Sequence, residues 1–319
     1  MAERRVSRGF RIGIAILCGL WLAGAAAPLL ATSQPWIARA QDGSLHAPAF
    51  HALLGRAAPI SEAQPLLHAP IPHDPNHIDL RAVLAPPSLR HWLGTDALGR
   101  DLLARVLHGA RVSLAVGIVA AALAMLVGVP LGAVAGFRGG LVDGAVSRLV
   151  EATLAVPTLL LALAVLSSAA GWLAWLSESM RVAVVIGITG WMPVTRYVRA
   201  EFAKLRNSDV VAAARAMGAT DLRIMSRHVL PSALAPVLVT AAFAVGAAVV
   251  LEAGLSFLGL GVHPPTPTWG SLLADAREQI RSAWWPAVFP AIALFLATTG
   301  CNLVAEGIRD VLDPRTGAG

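Results

Sequence analysis

The chain is poor in charge and in the residues that catalysis most often uses. Of its 319 residues, 14% are charged and 56% are hydrophobic, whereas soluble domains are about one-quarter charged. This composition excludes a cytosolic enzyme, a disordered chain and a disulfide scaffold, and it predicts an integral membrane protein. The two cysteines, Cys18 and Cys301, both lie in apolar stretches, where a thiol behaves as a small hydrophobe that needs no partner.

Sequence motifs that bind ATP phosphates or metals are missing. Lysine occurs only at Lys204, between alanine and leucine, so there is no Gly-x4-Gly-Lys-Ser/Thr phosphate loop. His-Glu-x-x-His, Cys-x-x-Cys and Gly-x-Ser-x-Gly motifs are absent as well. We therefore predict that the chain is not an enzyme, that it binds no metal or other cofactor itself, and that any ATP hydrolysis takes place on another polypeptide.

Six apolar segments are long enough, or nearly so, to cross a bilayer core of about 30 Å as helices. They lie at about 11–31, 112–136, 149–170, 182–199, 232–253 and 286–308. The fourth contains Gly187, Gly190 and Pro193, so we expect a kinked helix there. The first exceeds the run of about 7–15 residues typical of a signal peptide, so we expect it to be retained.

Positive charge is distributed unevenly over the connections between these segments. With the N-terminus inside, fifteen Arg and Lys residues fall in the inner segments and three fall in the short outer loops, namely Arg181, Arg277 and Arg281. Short positively charged loops stay in the cytoplasm, so both termini are predicted to be cytoplasmic. The basic residues are not gathered on one element with aromatics between them, which excludes a nucleic-acid partner.

The segment 32–92 is predicted to be an extracytoplasmic loop. It contains nine prolines and no sustained helical or strand period, so little regular structure is expected. Two interpretations remain open for it: a spacer on the outer face of the membrane domain, or a docking surface for another protein.

The cytoplasmic stretch 200–231 predicts two short amphipathic helices joined by a glycine. Ser208 or Asp209 can cap the first helix, and Gly218 can end it. The second helix can begin at Thr220 and be stopped by Pro231. The predicted apolar faces consist of Val210, Ala214 and Met217 in the first helix and Leu222, Met225 and Val229 in the second.

This helix pair has two possible surroundings on pattern alone. Arg215, Arg223 and Arg227 lie opposite the predicted apolar faces, which suits a helix pair at the lipid interface. The same pattern also suits helices presented to a groove on a soluble partner.

Five stretches resemble, in order, motifs of the permeases of ABC importers. The segment 212–218, followed by Leu230 and Pro231, resembles the cytoplasmic loop motif Glu-Ala-Ala, three residues, Gly, and a spaced Leu-Pro. The other four resemble the peptide and nickel branch of that family: LGTDALGRD at 93–101 with GARVSL at 109–114, GGLVDGAVSRLVEATLAVP at 139–157, LSFLGLG and HPPTPTWG within 255–270, and 302–314, which contains EGIRDVLDP.

The resemblance covers about 75–319 and implies an all-α bacterial inner-membrane protein with six transmembrane helices and the type I ABC importer permease fold. It divides the chain into a cytoplasmic N-terminus and first helix (1–31), the extracytoplasmic loop (32–92) and a five-helix permease core (93–319). The implied partners are a second homologous permease, two ATPase subunits that use ATP and Mg²⁺, and an extracytoplasmic substrate-binding protein. The implied substrate is an oligopeptide or dipeptide, with nickel or another small solute as the alternative.

The resemblance also assigns residues to ATPase coupling. These are Ala212, Ala213, Ala214, Arg215, Gly218, Asp221, Leu222, Arg227, Leu230 and Pro231. Ala212 departs from the motif, because the family has a glutamate there that is thought to hold the loop or to pair with the ATPase. We expect one contact to be weakened and coupling to survive.

Two acids near span ends are candidates for the pathway or for structural hydrogen bonding. Glu151 opens the third predicted span and Glu252 closes the fifth, where both are expected to reach water. An ion- or proton-coupled carrier would use such acids as relays, but the span middles contain no acid and no inverted repeat is visible. That carrier is the alternative from another class, and a membrane scaffold for a cytoplasmic partner is a third interpretation.

Overall fold

Helices dominate the computed structural model, which describes residues 7–40, 44–53, 64–169, 171 and 173–312. Arg4, Arg5 and Arg315, which contribute to the predicted orientation, lie outside the described residues. The helices are α1 (Arg8–Leu30), α2 (Pro48–Leu53), α3 (Leu102–Arg138), α4 (Gly140–Leu154), α5 (Thr158–Ala169), α6 (Glu178–Thr189), α7 (Trp191–Leu205), α8 (Asp209–Ala216), α9 (Asp221–Ile224), α10 (Leu230–Phe257), α11 (Trp269–Ala276) and α12 (Trp285–Leu312). A π-helical turn, Met225–Val229, joins α9 to α10.

Four helical stretches of the described residues are long and apolar enough to cross a membrane. They are Arg8–Leu30, Leu102–Arg138, Asp221–Phe257 and Trp285–Val311. These stretches match the first, second, fifth and sixth predicted spans. The pair α4 and α5 adds a fifth candidate if the two helices together form one broken span.

The third and fourth predicted spans differ from the structure, so the predicted count of six is not reproduced. The segment 149–170 is not one helix, because α4 and α5 are bent by 86° relative to each other. Pro157 lies at this break; it has no N–H and disfavours helical backbone at the preceding residue. The segment 182–199 is divided at Gly190 into α6 and α7, and the 12 residues of α6 extend only about 18 Å.

The outer segment contains more regular structure than its sequence predicted. Strands β1 (Ile37–Arg39), β2 (Leu45–His46) and β3 (Gln64–Leu67) form an antiparallel sheet in the order β2-β1-β3. Ala38 pairs with His46 on one side and with Pro65 on the other, with a register shift between Ile37 and Ala38. Apart from these strands and α2, the described residues of 32–92 contain little regular structure, as expected, and the strands were not predicted because segments of two to four residues are too short for their period to be visible.

The described residues group into two compact units. The first unit comprises Met1–Leu17, Val116–Glu252 and Ala297–Gly319, and the second comprises Cys18–Ala115 and Ala253–Leu296. The domain boundaries drawn from the sequence at 31 and 92 follow predicted membrane topology rather than packing, and they remain a prediction.

Close packing of α3 against α7 organises the first unit. A Cβ added to Gly128 would lie 2.7 Å from the Val194 side chain, and one added to Gly132 would lie 2.6 Å from the Thr195 carbonyl oxygen. The Thr195 hydroxyl donates to the Gly128 carbonyl at 3.1 Å, which satisfies a polar group between the two apolar helices. The spacing of four residues between these glycines keeps one face of α3 free of side chains, and α7 leads directly into α8 and α9.

In the second unit, buried aromatic residues hold the beginning of α3. The Trp269 side chain is fully buried, its Nε1 donates to the Val106 carbonyl at 3.1 Å, and its backbone N–H donates to the Ser113 hydroxyl at 3.1 Å. Trp285 packs with Leu102 and donates from Nε1 to the Thr95 carbonyl at 3.1 Å. Each indole therefore combines a large apolar contact with one satisfied donor.

Candidate functional site

The helix pair α8–α9 has the turn that the sequence predicted. Ser208 is the N-cap of α8, and Gly218 has φ +81°, in the left-handed region that favours glycine. The Gly218 N–H donates to the Arg215 carbonyl at 2.9 Å, and the Ala219 N–H donates to the Ala214 carbonyl at 3.0 Å. These two bonds form a Schellman motif, which satisfies the last carbonyls of α8 and turns the chain into α9.

One face of this pair is anchored in the core of the first unit. We define the inner face as Val211, Ala214, Ile224 and Val229, all of which are buried in one cluster with Phe137 of α3 and Phe202 of α7. Each of the three larger side chains contributes about 1.5–3 kcal/mol by this burial. The pair is therefore fixed to the ends of α3 and α7 and does not lie on the surface as a loose segment.

The other face carries exposed apolar side chains. We define the outer face as Val210, Met217 and Leu222, of which Met217 is 80% and Leu222 76% exposed. The predicted apolar faces were therefore partly wrong, because only Ala214 and Val229 of the six residues are fully buried. Val210 and Val211 are adjacent, and the helix can turn only one of them to the core; Val211 takes that place.

Pro231 does not end the second helix, contrary to the prediction. The preceding π-turn pairs each N–H with a carbonyl five residues back, and this widening accommodates a residue without an N–H. In the next turn, the Ser232 hydroxyl donates to the His228 carbonyl at 3.0 Å. As a result, Asp221–Phe257 is one continuous helical stretch, with Leu230 half-buried in it and Pro231 exposed.

Arg215 makes two contacts beside the Gly218 turn. The Arg215 guanidinium lies 5.3 Å from the centre of the Phe137 ring and 3.9 Å from an Asp221 carboxylate oxygen. Both partners of this ion pair are about half exposed, so it contributes at most about 1 kcal/mol. Ala212 and Ala213 are exposed, as is Arg227. Ala212, at the position of the motif glutamate, therefore lies on the exposed side of α8.

An ion pair that the sequence analysis did not single out joins α4 to α7. The Arg199 guanidinium donates to both carboxylate oxygens of Asp143: Nη2 lies 2.8 Å from Oδ2, and Nε contacts Oδ1. A fork of this kind fixes the relative orientation of its two helices. Asp143 lies within the recognised motif 139–157, which was the available signal, but its partner is 56 residues away in the chain.

The second unit contains a buried ion cluster that sequence reasoning also missed. Asp96 Oδ2 accepts hydrogen bonds from Arg100 Nε at 2.7 Å and from Arg105 Nη1 at 2.8 Å. Asp275 Oδ2 lies 3.1 Å from Arg100 and 3.4 Å from Arg105. Burial raises the pKa of the Asp275 carboxyl above its ordinary value, and the Arg100 guanidinium opposes part of this rise. The cluster ties the motif 93–101 to α3 and α11.

The two candidate acids have different surroundings. Glu151 is exposed and lies 3.8 Å from the exposed Arg148, a geometry that contributes little energy. Glu252 is fully buried in α10 and does not reach water, contrary to the expectation from its place near a span end. The helix pair, Glu151 and Glu252 are thus three separate features, and their roles remain predictions.

The helical fold with its apolar spans defines a multi-pass membrane protein. The family of binding-protein-dependent transport system inner membrane components matches residues 128–318, and the chain belongs to this family. The chain is the permease subunit of an ABC importer, and it is a transport subunit rather than an enzyme. Membership implies residence in the inner membrane and an assembly with a partner permease, an ATPase and a binding protein.

Individual relatives agree with this assignment. A Brucella suis permease named for peptide transport is 42% identical over 76% of this chain and 79% of its own length. The dipeptide transport system permease of Alkalihalophilus pseudofirmus is 40% identical over 73% of this chain and 74% of its own length. The inward-facing methionine ABC transporter MetNI matches with a TM-score of 0.54 at 18% identity, over 65% of this chain and 96% of that chain, which confirms the type I permease fold.

Proposed function

We propose that this permease forms half of the pathway of a peptide importer and receives the energy of ATP hydrolysis through the helix pair 208–231. Hydrolysis takes place on two separate ATPase subunits, which use ATP and Mg²⁺, and this chain binds neither. A second homologous permease completes the pathway, and an extracytoplasmic protein delivers the substrate. Both termini and the helix pair face the cytoplasm.

The observation that carries the coupling role is the contrast between the two faces of the helix pair. The inner face is buried in the core of the first unit, so a force applied to the pair is transmitted to α3 and α7. The outer face exposes Met217 and Leu222 on either side of the Gly218 turn, and exposed apolar side chains on short helices can anchor them in a groove of a partner. Burying each in a groove would contribute about 1.5–3 kcal/mol.

The family resemblance of the loop supports an ATPase as the occupant of this surface rather than lipid. The outer face combines an adaptable methionine with a leucine at a helix turn, which fits the mode in which a helix docks into an apolar groove. Gly218 lies between them, and a Cβ there would meet no atom within 4 Å, so the tip of the turn is free to enter a cleft.

The coupling role is tested with Met217→Ala and Leu222→Ala, each compared with Leu89→Ala. Leu89 is 98% exposed in the segment predicted to be extracytoplasmic, so it matches the chemistry and exposure of Leu222. Affinity for the co-expressed ATPase, measured in detergent or nanodiscs, should fall roughly tenfold for each coupling variant. Transport should fall with it, while Leu89→Ala should leave both unchanged. Unchanged affinity in Met217→Ala and Leu222→Ala would refute the docking surface.

The peptide substrate rests on the names of the relatives and on the recognised motifs. It is tested by uptake of radiolabelled dipeptides and tripeptides into cells that produce this chain with the partners that co-purify with it. Uptake of peptides that stops when this chain is deleted supports the proposal. Nickel uptake without peptide uptake would replace the substrate but keep the coupling role, so that the two parts fail independently.

A further inference from the structure

An unexplained buried histidine lies next to the beginning of α3. His91 is 6% exposed, and its Nδ1 lies 2.8 Å from Asp101 Oδ2, so Nδ1–H donates to the carboxylate. The other ring nitrogen, Nε2, is buried without a hydrogen-bond partner in the described residues, and in the neutral ring with Nδ1–H it carries the lone pair. Leaving a buried polar atom without a partner is unfavourable, so a ligand that binds to this lone pair would remove a penalty.

A second histidine, His73, also has one hydrogen-bonded ring nitrogen and one without a hydrogen bond in the part of the chain that the structure describes. The rings of His73 and His91 are stacked with their centres 4.5 Å apart. His73 Nε2 lies 3.0 Å from the Arg90 carbonyl oxygen, so Nε2–H donates there and the lone pair is on Nδ1. In both rings one nitrogen is tied to an oxygen and the other offers its lone pair, as in histidines that hold metals.

The two rings open onto one cavity. The cavity measures about 260 Å³ and is lined by His73, His77, His91 and Asp101, together with Asp74 and Asp79. One possible donor atom from each of His73, His91 and Asp101 lies within 4.8 Å of the others. Arg90 also lines the cavity, but its guanidinium is largely exposed and lies 3.8 Å from Asp79. The surroundings of the two imidazoles are therefore acidic.

Packing and helix capping account for only part of this arrangement. Asp101 Oδ1 accepts the Ala104 N–H at 2.8 Å, which explains the aspartate as a cap of α3. Stacking explains the parallel rings. Neither explains why His91, which lines the cavity, is buried with an Nε2 that has no partner among the described residues.

We propose that this cavity binds one divalent cation of the zinc class through the imidazoles of His73 and His91, with Asp101 fixing the His91 ring. Imidazole ligands select zinc, nickel, copper or cobalt over the oxygen-seeking magnesium and calcium. The site replaces the sequence expectation that the chain binds no metal. It connects His73 to His91 and to Asp101, the cap of α3, and it does not depend on the transported substrate.

The test uses the full-length purified protein, stripped of metal by a chelator and titrated with Zn²⁺ alone. We expect one Zn²⁺ per chain by elemental analysis after desalting, and a visible absorption band when Co²⁺ is the probe. His73→Ala and His91→Ala should abolish this binding, whereas His51→Ala in α2 should retain it. Asp101→Asn should weaken binding by about 10–100-fold, as expected for loss of an orienting carboxylate.

Size-exclusion profiles and thermal unfolding separate loss of the site from loss of the fold. His73 is partly exposed, so His73→Ala should fold even if His91→Ala does not. The proposal is overturned if the wild type binds no Zn²⁺, if folded His73→Ala binds as much as the wild type, or if excess Mg²⁺ or Ca²⁺ displaces the Zn²⁺.

Discussion

Neutralising Asp96 should destabilise the protein far more than neutralising an exposed acid. Asp96 is buried and accepts hydrogen bonds from Arg100 and from Arg105, whose side chain is 2% exposed. After Asp96→Asn, Asp275 is the one acid of the described residues still paired with the two guanidiniums, and its side chain is 38% exposed at the edge of the cluster. Removing one partner from a buried ion cluster costs about 3–5 kcal/mol, because an uncompensated charge remains in the interior.

The assay is equilibrium unfolding of the purified protein in mixed micelles with increasing SDS, followed by tryptophan fluorescence. Glu151→Gln is the control, because Glu151 is exposed and lies 3.8 Å from the exposed Arg148, so its loss should change the free energy of unfolding by at most about 1 kcal/mol. The double variant Asp96→Asn, Arg105→Met removes one charge of each sign and should be less destabilised than the sum of its single changes. A loss below about 1 kcal/mol for Asp96→Asn would refute the reasoning.

Three further predictions concern the helix pair and its attachment. Gly218→Pro should abolish uptake while membrane insertion is unchanged, because proline cannot adopt φ +81° and lacks the N–H that bonds to the Arg215 carbonyl. Normal uptake by this variant would contradict the assigned turn. Arg199→Ala should reduce uptake while changing the free energy of unfolding by about 1 kcal/mol. Arg199→Lys should restore only part of the lost uptake, because lysine cannot form the two-bond fork with Asp143. Ala212→Glu should change the free energy of unfolding by less than about 0.5 kcal/mol, because the side chain at this position is exposed. The same variant should strengthen ATPase binding in a pull-down. Weaker binding would show that this chain's partner does not use the motif acid.

The sequence was sufficient where a local chemical requirement decides the structure. Ser208 and Gly218 marked the two ends of α8 because an N-cap and a left-handed residue leave clear signatures. Pro157 would have marked the bend between α4 and α5, since proline and the residue before it resist helical backbone. A long apolar run concealed that signal in the prediction of one span.

The sequence was insufficient where contacts with distant residues decide which side chains are buried or bonded. Whether Val210 or Val211 faces the core depends on Phe137 and Phe202, which no local pattern connects to them. The bond between Arg100 and Asp275 joins residues 175 positions apart. The paired histidines were also beyond sequence reasoning, because their spacing matches no metal motif and only the fold stacks their rings.

The separation of the inner and outer faces of the helix pair has a consequence for exchanging subunits between transporters. Val211 and Ile224 are buried in the core of their own chain, whereas the side chains of Met217 and Leu222 are mostly exposed, so replacing them should disturb that core little. A chimaera that receives only the outer-face side chains of a related permease should therefore fold as before and yet prefer the other system's ATPase. A few surface positions would then determine which ATPase the permease binds, independently of the pathway that selects the cargo.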